Sequence, residues 1–245
     1  MDSSNGRDYD SLDVAVVGAG PAGLCLARRL AGTDASFAVF ERNGDVGGVW
    51  DIDAPGSPMY ESAHFISSKT LSGFPGFPMP DRYPDYPNHR QILDYIRSYA
   101  DRFDLRRHIQ FECGVLHAAL DADGSWKLDL SDGKSVKARY LVCANGVTWE
   151  PHIVTWPGRF DGEIRHSVTY RDVGELAGRR VLVIGAGNSG VDIACDAAFA
   201  AEQAFLSVRR GYHFIPKHIF GTPSDVFAHD GPRVPHWLEV RAFGL

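Results

Sequence analysis

One arrangement occurs twice in this chain and limits its possible folds more than anything else: an apolar strand runs into a glycine-rich turn, and the turn opens a helix. In the first copy Leu12 to Val17 is apolar apart from Asp13. Gly18-Ala19-Gly20-Pro21-Ala22-Gly23 follows, and Leu24 to Ala31 then reads as a helix ending before Gly32. The second copy is Val181-Leu182-Val183-Ile184, then Gly185-Ala186-Gly187-Asn188-Ser189-Gly190, then a helix through about Gln203. Continuously apolar runs predict parallel strands covered on both faces. In G-x-G-x-x-G the first glycine permits the tight turn, the second lets the backbone approach a pyrophosphate, and the third allows close helix–strand packing. The helix N–H groups and dipole then face the phosphates. The pattern alone is weak, but here both copies carry the strand before it and the helix after it.

Between the copies the chain changes character. Residues 51–87 are rich in Pro, Gly and aromatics, as in Phe74-Pro75-Gly76-Phe77-Pro78-Met79-Pro80, and suit neither a regular helix nor a central strand. Asn88, with Gln91 three residues on, caps a helix running to about Phe103, whose Ile92, Ile96, Tyr99 and Phe103 share a face. Residues 109–140 read as an antiparallel meander with Asp123-Gly124 and Asp132-Gly133 as its turns, and Trp126, Leu128 and Leu130 alternate between them. Leu141-Val142-Cys143-Ala144 reads as a further buried strand. The expected fold is α/β, a Rossmann-like two-dinucleotide-binding protein with an antiparallel β-meander in its first domain. Residues 1–160 form that domain, and residues 161–245 form a partial second one. Too little sequence follows Val181 to complete a doubly wound half, so an N-terminal piece of a longer protein is expected.

The residues that end each second strand separate the ligands. Ser36 to Arg42 ends in Glu41, whose carboxylate can accept hydrogen bonds from ribose hydroxyls and repel a 2′-phosphate. Ala204 to Arg210 ends in Arg209 and Arg210 where the acid would otherwise be, and two guanidiniums can hold a 2′-phosphate by bidentate, charge-assisted hydrogen bonds. The pair of sites therefore points to FAD and NADPH.

Several function classes drop out. Hydrophobic residues at 44% and aromatics at 11% exclude a disordered chain. Lys and Arg number 25 against 31 Asp and Glu, which argues against a nucleic-acid surface. Cys25, Cys113, Cys143 and Cys195 lie far apart without C-x-x-C, so neither a disulfide framework nor a dithiol centre is expected. The histidines, His213 and His218 included, show no metal-site spacing, and G-x-S-x-G is absent. With no apolar run near the roughly 18 residues of a membrane span and no secretory start, a soluble cytoplasmic protein is expected. Oligomeric state is not legible.

The segment Phe160-Asp161-Gly162-Glu163-Ile164-Arg165-His166-Ser167-Val168-Thr169-Tyr170 resembles the F-x-G-x-x-x-H-x-x-x-Y fingerprint of the flavin-containing monooxygenase family. Baeyer–Villiger monooxygenases are similar but usually close it with Trp, so Tyr170 favours the former. Gly47-Gly48-Val49-Trp50 resembles the family's flavin-contacting segment, and Cys143-Ala144-Asn145-Gly146 its A-T-G motif with Asn for Thr. Arg209-Arg210-Gly211 and Pro216-Lys217 also fit.

The resemblance implies an FAD-dependent, NADPH-using enzyme that oxygenates a nucleophilic nitrogen or sulfur of a small molecule with O2, through a flavin peroxide. It implies cofactor contacts at Gly18, Gly20, Pro21, Ala22, Gly23, Glu41, Arg42, Gly48, Val49, Trp50, Ser67, Ala144, Gly185, Gly187, Asn188, Ser189, Gly190, Arg209 and Arg210. Ser67, Ser68 and Asn145, with Lys69, are the candidate catalytic-pocket groups. One departure stands out. Many members have Asn three residues before the lysine matched by Lys69, and here that residue is Ile66, which cannot donate a hydrogen bond. The alternatives are an NADPH-dependent reductase or oxidase that releases peroxide, or a dinucleotide-binding fragment without turnover.

Overall fold

The computed structural model describes residues 11–231. The ends over which the two expected domains also run, residues 1–10 and 232–245, lie outside the described residues. The described chain divides into two compact units, residues 11–63 with 88–207, and residues 64–87 with 208–231.

The first unit is built on a six-stranded mixed sheet ordered β3-β2-β1-β6-β5-β4. Its strands are β1 (Ser11–Val17), β2 (Phe37–Phe40), β3 (Ile109–Gln110), β4 (Val115–Leu120), β5 (Trp126–Leu130) and β6 (Ser135–Cys143). Parallel pairing of β2 and β6 on either side of β1 buries its apolar run, and β2 is buried throughout. Asp13, the polar break in that run, accepts hydrogen bonds from the Ser36 amide and hydroxyl, both at 2.8 Å. Ile109 pairs parallel with β2 rather than joining the meander, because it leads the chain back beside that strand. The expected separate, buried strand at 141–144 is also corrected, since Val142 and Cys143 are exposed and the strand starts earlier. β6 is continuous, antiparallel to β5 through Ser135–Ala138 and parallel to β1 through Lys137–Cys143, so one strand closes the meander and supplies the inner strand. Both Asp-Gly turns form, with Gly124 at φ 81° and Gly133 at φ 85°.

Helix α1 (Pro21–Leu30) begins three residues earlier than the sequence suggests, because Pro21 is preset for the first helical position. Helix α2 (His89–Arg102) has the expected capping box: the Gln91 amide donates to Asn88 and the Asn88 amide to Gln91. Its apolar face, with Ile92, Ile96 and Tyr99, is buried, and Arg28 of α1 stacks 3.7 Å over the Phe103 ring.

The same unit holds the second copy: β7 (Arg180–Ile184), α3 (Asn188–Ala200) and β8 (Gln203–Ser207), with β7 and β8 parallel. Two expectations are corrected here. Helix α3 stops at Ala200 instead of Gln203, because β8 already begins at Gln203 to pair with Arg180. The strands are not covered on both faces: Leu182, Ile184, Phe205 and Leu206 are exposed, since among the described residues this sheet has only two strands. What packs on α3 is a cluster of Met59, Tyr60, Ala63, Tyr170, Leu176, Ile193 and Ala197.

In the second unit, residues 64–87 carry no helix or strand, only isolated bridge positions at His64, Phe74 and Phe77. The short hairpin of β9 (His218–Ile219) and β10 (Thr222–Pro223) leads into α4 (Ser224–Asp230). Asp225 accepts the Ser68 amide at 2.7 Å, and His218 meets Asp85 at 2.9 Å. No helix among the described residues is long and apolar enough to cross a membrane.

Candidate functional site

The two glycine turns are built alike. The Gly18 amide donates to the carbonyl of Phe40, the last residue of β2, at 2.8 Å, and the Gly185 amide donates to that of Ser207, the last of β8, at 2.9 Å. Gly18 lies at φ 100° and Gly185 at φ 104°, a left-handed region that costs glycine little. A Cβ on Gly23 would sit 1.9 Å from the Gly18 carbonyl oxygen, and one on Gly190 would sit 2.2 Å from that of Gly185. The fold therefore demands the outer two glycines of each turn.

It does not demand the middle ones. Gly20 is extended at φ −72°, and its nearest neighbour to a Cβ is the Gly48 Cα at 3.7 Å, ordinary contact. Gly187, at φ −73°, would meet nothing within 4 Å. Space is kept open where each turn faces outward. Gly20 and Gly187 are also the N-cap residues of α1 and α3, and neither helix start has a side-chain cap or an acid in its first turn, whereas α2 is capped by Asn88. Uncapped N–H groups beside an open glycine suit a phosphate.

Glu41 directly follows β2 and is buried at 5% exposure. Its Oε2 accepts the Ala19 amide of the turn at 2.7 Å and its Oε1 accepts the Asn43 amide at 2.9 Å. A carboxylate has about four acceptor positions, so this one is held against the turn with capacity left for two hydroxyls. Arg42 stacks 4.0 Å over the Trp149 ring, a partner that the sequence did not flag. Ala144 and Asn145 wall the turn: a Cβ on Gly18 would meet the Ala144 carbonyl oxygen at 2.7 Å and the Asn145 Cα at 3.1 Å. Gly48, at φ 58°, approaches Gly20, and the Gly47 amide donates to Ala19 at 3.3 Å. Val49 and Trp50 lean on the cluster beneath α3.

That segment is clamped by ion pairs. Asp45 meets Arg97 of α2 at 2.8 Å and also Arg106, while Arg97 reaches Asp51 at 3.5 Å. Burial pushes the Asp45 carboxyl up, but Arg106, the Val46 amide and Arg97 together outweigh it and hold the carboxyl below its ordinary range. A carboxylate lowered in this way adds stability above the unfolded-state pKa and loses it as pH falls through the folded value. Asp45→Asn should thus cost about 1 kcal/mol at neutral pH, given solvent screening at a half-exposed site. Melting curves should show the gap from wild type closing below about pH 4; an equal gap at pH 3 and pH 7 contradicts this role.

At the second turn the register corrects the expected alignment. With Ser207 matching Phe40, the residue in the place of Glu41 is Val208, and Arg209 corresponds to Arg42. The carboxylate is replaced by an apolar side chain, and the two arginines follow it. In the second unit Arg209, Arg210 and Tyr212 line an open cavity of ≈ 340 Å³. Ser67, Ser68 and Lys69 also belong to that unit. The Ser67 hydroxyl bonds Ser72 at 2.6 Å, Ser68 is fully buried, and the Lys69 ammonium donates to the Asp81 carbonyl at 2.8 Å and to that of Tyr83. Ile66 is exposed. In the fingerprint, His166 Nδ1 accepts the Val168 amide at 3.1 Å and Tyr170 is buried. Arg171, which the fingerprint does not include, donates to the carbonyls of Ser57 at 2.8 Å and Met59 at 2.9 Å.

Residues 11–232 match the family described as flavin-binding monooxygenase-like. The chain is 36% identical over 220 residues to flavin-containing monooxygenase 5 of Mus musculus, across 81% of this chain and 40% of that protein. It is 37% identical over 214 residues to dimethylaniline monooxygenase [N-oxide-forming] 2 of Macaca mulatta, again across 81% and 40%. Among solved structures it resembles a flavin monooxygenase from Stenotrophomonas maltophilia, with TM-score 0.77, 27% identity, and 96% of this chain and 68% of that one covered. A steroid monooxygenase bound to NADP gives TM-score 0.68 at 33% identity, covering 89% and 43%. The chain thus spans about 40% of the length of the mouse and macaque relatives.

Proposed function

We propose, since the chain belongs to the flavin-binding monooxygenase-like family, that it binds FAD at Gly18–Gly23 and NADP(H) at Gly185–Gly190. In this role it serves an enzyme that oxygenates a nucleophilic nitrogen or sulfur of a small molecule with O2. One observation carries the reading: in each turn the fold itself requires the outer glycines, while Gly20 and Gly187 keep space open as an approaching pyrophosphate would need. When bound, the two cofactors supply hydride transfer and oxygen activation. The protein supplies binding, orientation and exclusion of water.

At the first turn the α1 amides receive the FAD pyrophosphate, and Glu41 gives its remaining lone pairs to ribose hydroxyls. Arg42 on Trp149 borders the adenosine, and Gly48, Val49, Trp50, Ala144 and Asn145 border the flavin side. At the second turn Asn188 and Ser189 open the helix that receives the NADP(H) pyrophosphate. Arg209 and Arg210 take the 2′-phosphate. Val208 helps by absence, since no carboxylate stands there to repel that phosphate. Ser67, Ser68 and Asn145 are the polar groups assigned to the reaction pocket. The partners are then a small-molecule substrate and O2, and the compartment the cytoplasm. Attack by nitrogen or sulfur fits the names of the N-oxide-forming relative and of a similar S-allyl-L-cysteine S-oxygenase from Allium sativum.

Ile66 favours a second reading, NADPH oxidation with release of peroxide, because its side chain offers no hydrogen bond where the family resemblance implies Asn. The test is to record the visible spectrum of the purified protein, then follow NADPH loss with and without an amine or thioether, scoring oxygenated product against H2O2. Flavin colour with oxygenated product supports the first reading, and peroxide alone supports the second. Failure to take up FAD on reconstitution overturns both.

A further inference from the structure

Helix α3 begins at the second glycine turn, and two of its carboxylates lie one turn apart on one face, at Asp192 and Asp196. Both are half-buried, and neither pairs with a Lys or Arg among the described residues. Instead they are held by hydroxyls from two segments outside the helix, Tyr60–Ser62 and Tyr170. The Tyr60 hydroxyl donates to Asp192 Oδ2 at 2.8 Å, and Asp196 Oδ2 accepts from Ser62 at 2.6 Å and from Tyr170 at 2.7 Å. Tyr60 and Tyr170 are 6% and 2% exposed, with ring centroids 5.7 Å apart. Burial, reinforced by the facing aspartates, pushes both phenols well up, so they remain proton donors throughout the working pH range.

The segment carrying Tyr60 and Ser62 is itself fixed. Ser57, fully buried, donates to the Val49 carbonyl at 3.0 Å, behind the Gly48–Trp50 turn that touches Gly20. The Arg171 guanidinium ties the Ser57 and Met59 carbonyls to those of Val168 and Tyr170. Hydrogen-bonded residues therefore connect the wall of the first turn, through Ser57, Arg171 and Tyr170, to the side of the helix that opens the second. Among the described residues, the hydroxyls of Tyr60, Ser62 and Tyr170 are the side chains that hold the two acids.

We infer that Tyr60, Ser62 and Tyr170 are positioning residues for the second nucleotide site: by gripping Asp192 and Asp196 they set the placement of α3, and with it the amides that receive NADP(H). This rests on the assignment of NADP(H) to the second turn. Charge-assisted hydrogen bonds of this kind are short and directional, and misplacing phosphate-binding amides by a fraction of an ångström weakens every contact that they make.

The test is the double variant Tyr60→Phe/Tyr170→Phe in the 245-residue chain, which keeps both rings in the core and removes both hydroxyls. Ser62→Ala is the milder companion. Titration with NADP+ and, separately, with FAD should show NADP+ affinity about tenfold weaker in the double variant and less reduced in Ser62→Ala, with FAD affinity within about twofold of wild type. A loosening of the core alone would lower both affinities together, so equal losses overturn the inference, as does unchanged NADP+ affinity. If wild type binds FAD but not NADP+, the assignment of the second turn falls, and the role of the three hydroxyls falls with it.

Discussion

Gly20→Ala should leave the protein folded yet weaken FAD binding about 100-fold, whereas Gly23→Ala, three residues on, should unfold the first βαβ. The two glycines answer to different constraints. Gly20 has an ordinary extended backbone, and the new methyl would rest 3.7 Å from the Gly48 Cα. Alanine is a poorer N-cap than glycine by about 0.5–1 kcal/mol but removes some freedom from the unfolded chain, so Tm should change by only a few degrees. The same methyl occupies the space that a pyrophosphate needs, and a 100-fold loss is about 2.7 kcal/mol. At Gly23 the methyl would lie 1.9 Å from the Gly18 carbonyl oxygen, and Gly18 cannot retreat because Ala144 and Asn145 stand behind it. Overpacking backbone against backbone should cost at least about 3 kcal/mol. Melting curves without ligand, together with FAD titrations by flavin fluorescence, separate the outcomes. Wild-type FAD affinity in Gly20→Ala would mean that the open glycine serves no ligand.

The second large effect concerns coenzyme choice. Arg209→Ser/Arg210→Ser should cut the preference for NADP+ over NAD+ by about 100-fold or more. Each charge-assisted hydrogen bond to the 2′-phosphate contributes about 1.5–3 kcal/mol, and an open site places the sum near the low end. NAD+ affinity should barely change, because that molecule lacks the group that the guanidiniums hold. Affinity ratios for the two coenzymes decide the matter: an unchanged ratio in the variant means that the arginines serve only the surface. Val208→Glu should move the ratio in the same direction by restoring the carboxylate that Glu41 supplies at the first turn.

Much of this was legible because the signals are local. The paired strand–turn–helix units, the Asn88–Gln91 capping box and the two Asp-Gly turns each depend on a few consecutive residues, and each formed as expected. What escaped depends on distant pairing. β6 looked like two strands because nothing in Ser135–Cys143 says that its start faces β5 while its length follows β1. The place of Glu41 in the second copy falls one residue before the arginines, since the matching point is fixed by the Gly185–Ser207 hydrogen bond, not by where the charges fall. Tyr60, Ser62 and Arg171 carry no sequence signal because their partners lie more than a hundred residues away, and singly they look like ordinary loop residues. The exposure of β7 and β8 contradicts a rule about apolar runs, which describes a sheet with more strands than are present among the described residues.

The most direct measurement is a crystal structure of the protein grown with FAD and NADP+ together. Density for the FAD ribose on Glu41, its pyrophosphate over Gly20, and the NADP+ 2′-phosphate on Arg209 and Arg210 is the predicted result. FAD density away from Gly18–Gly23, or a 2′-phosphate in solvent far from both arginines, would contradict it.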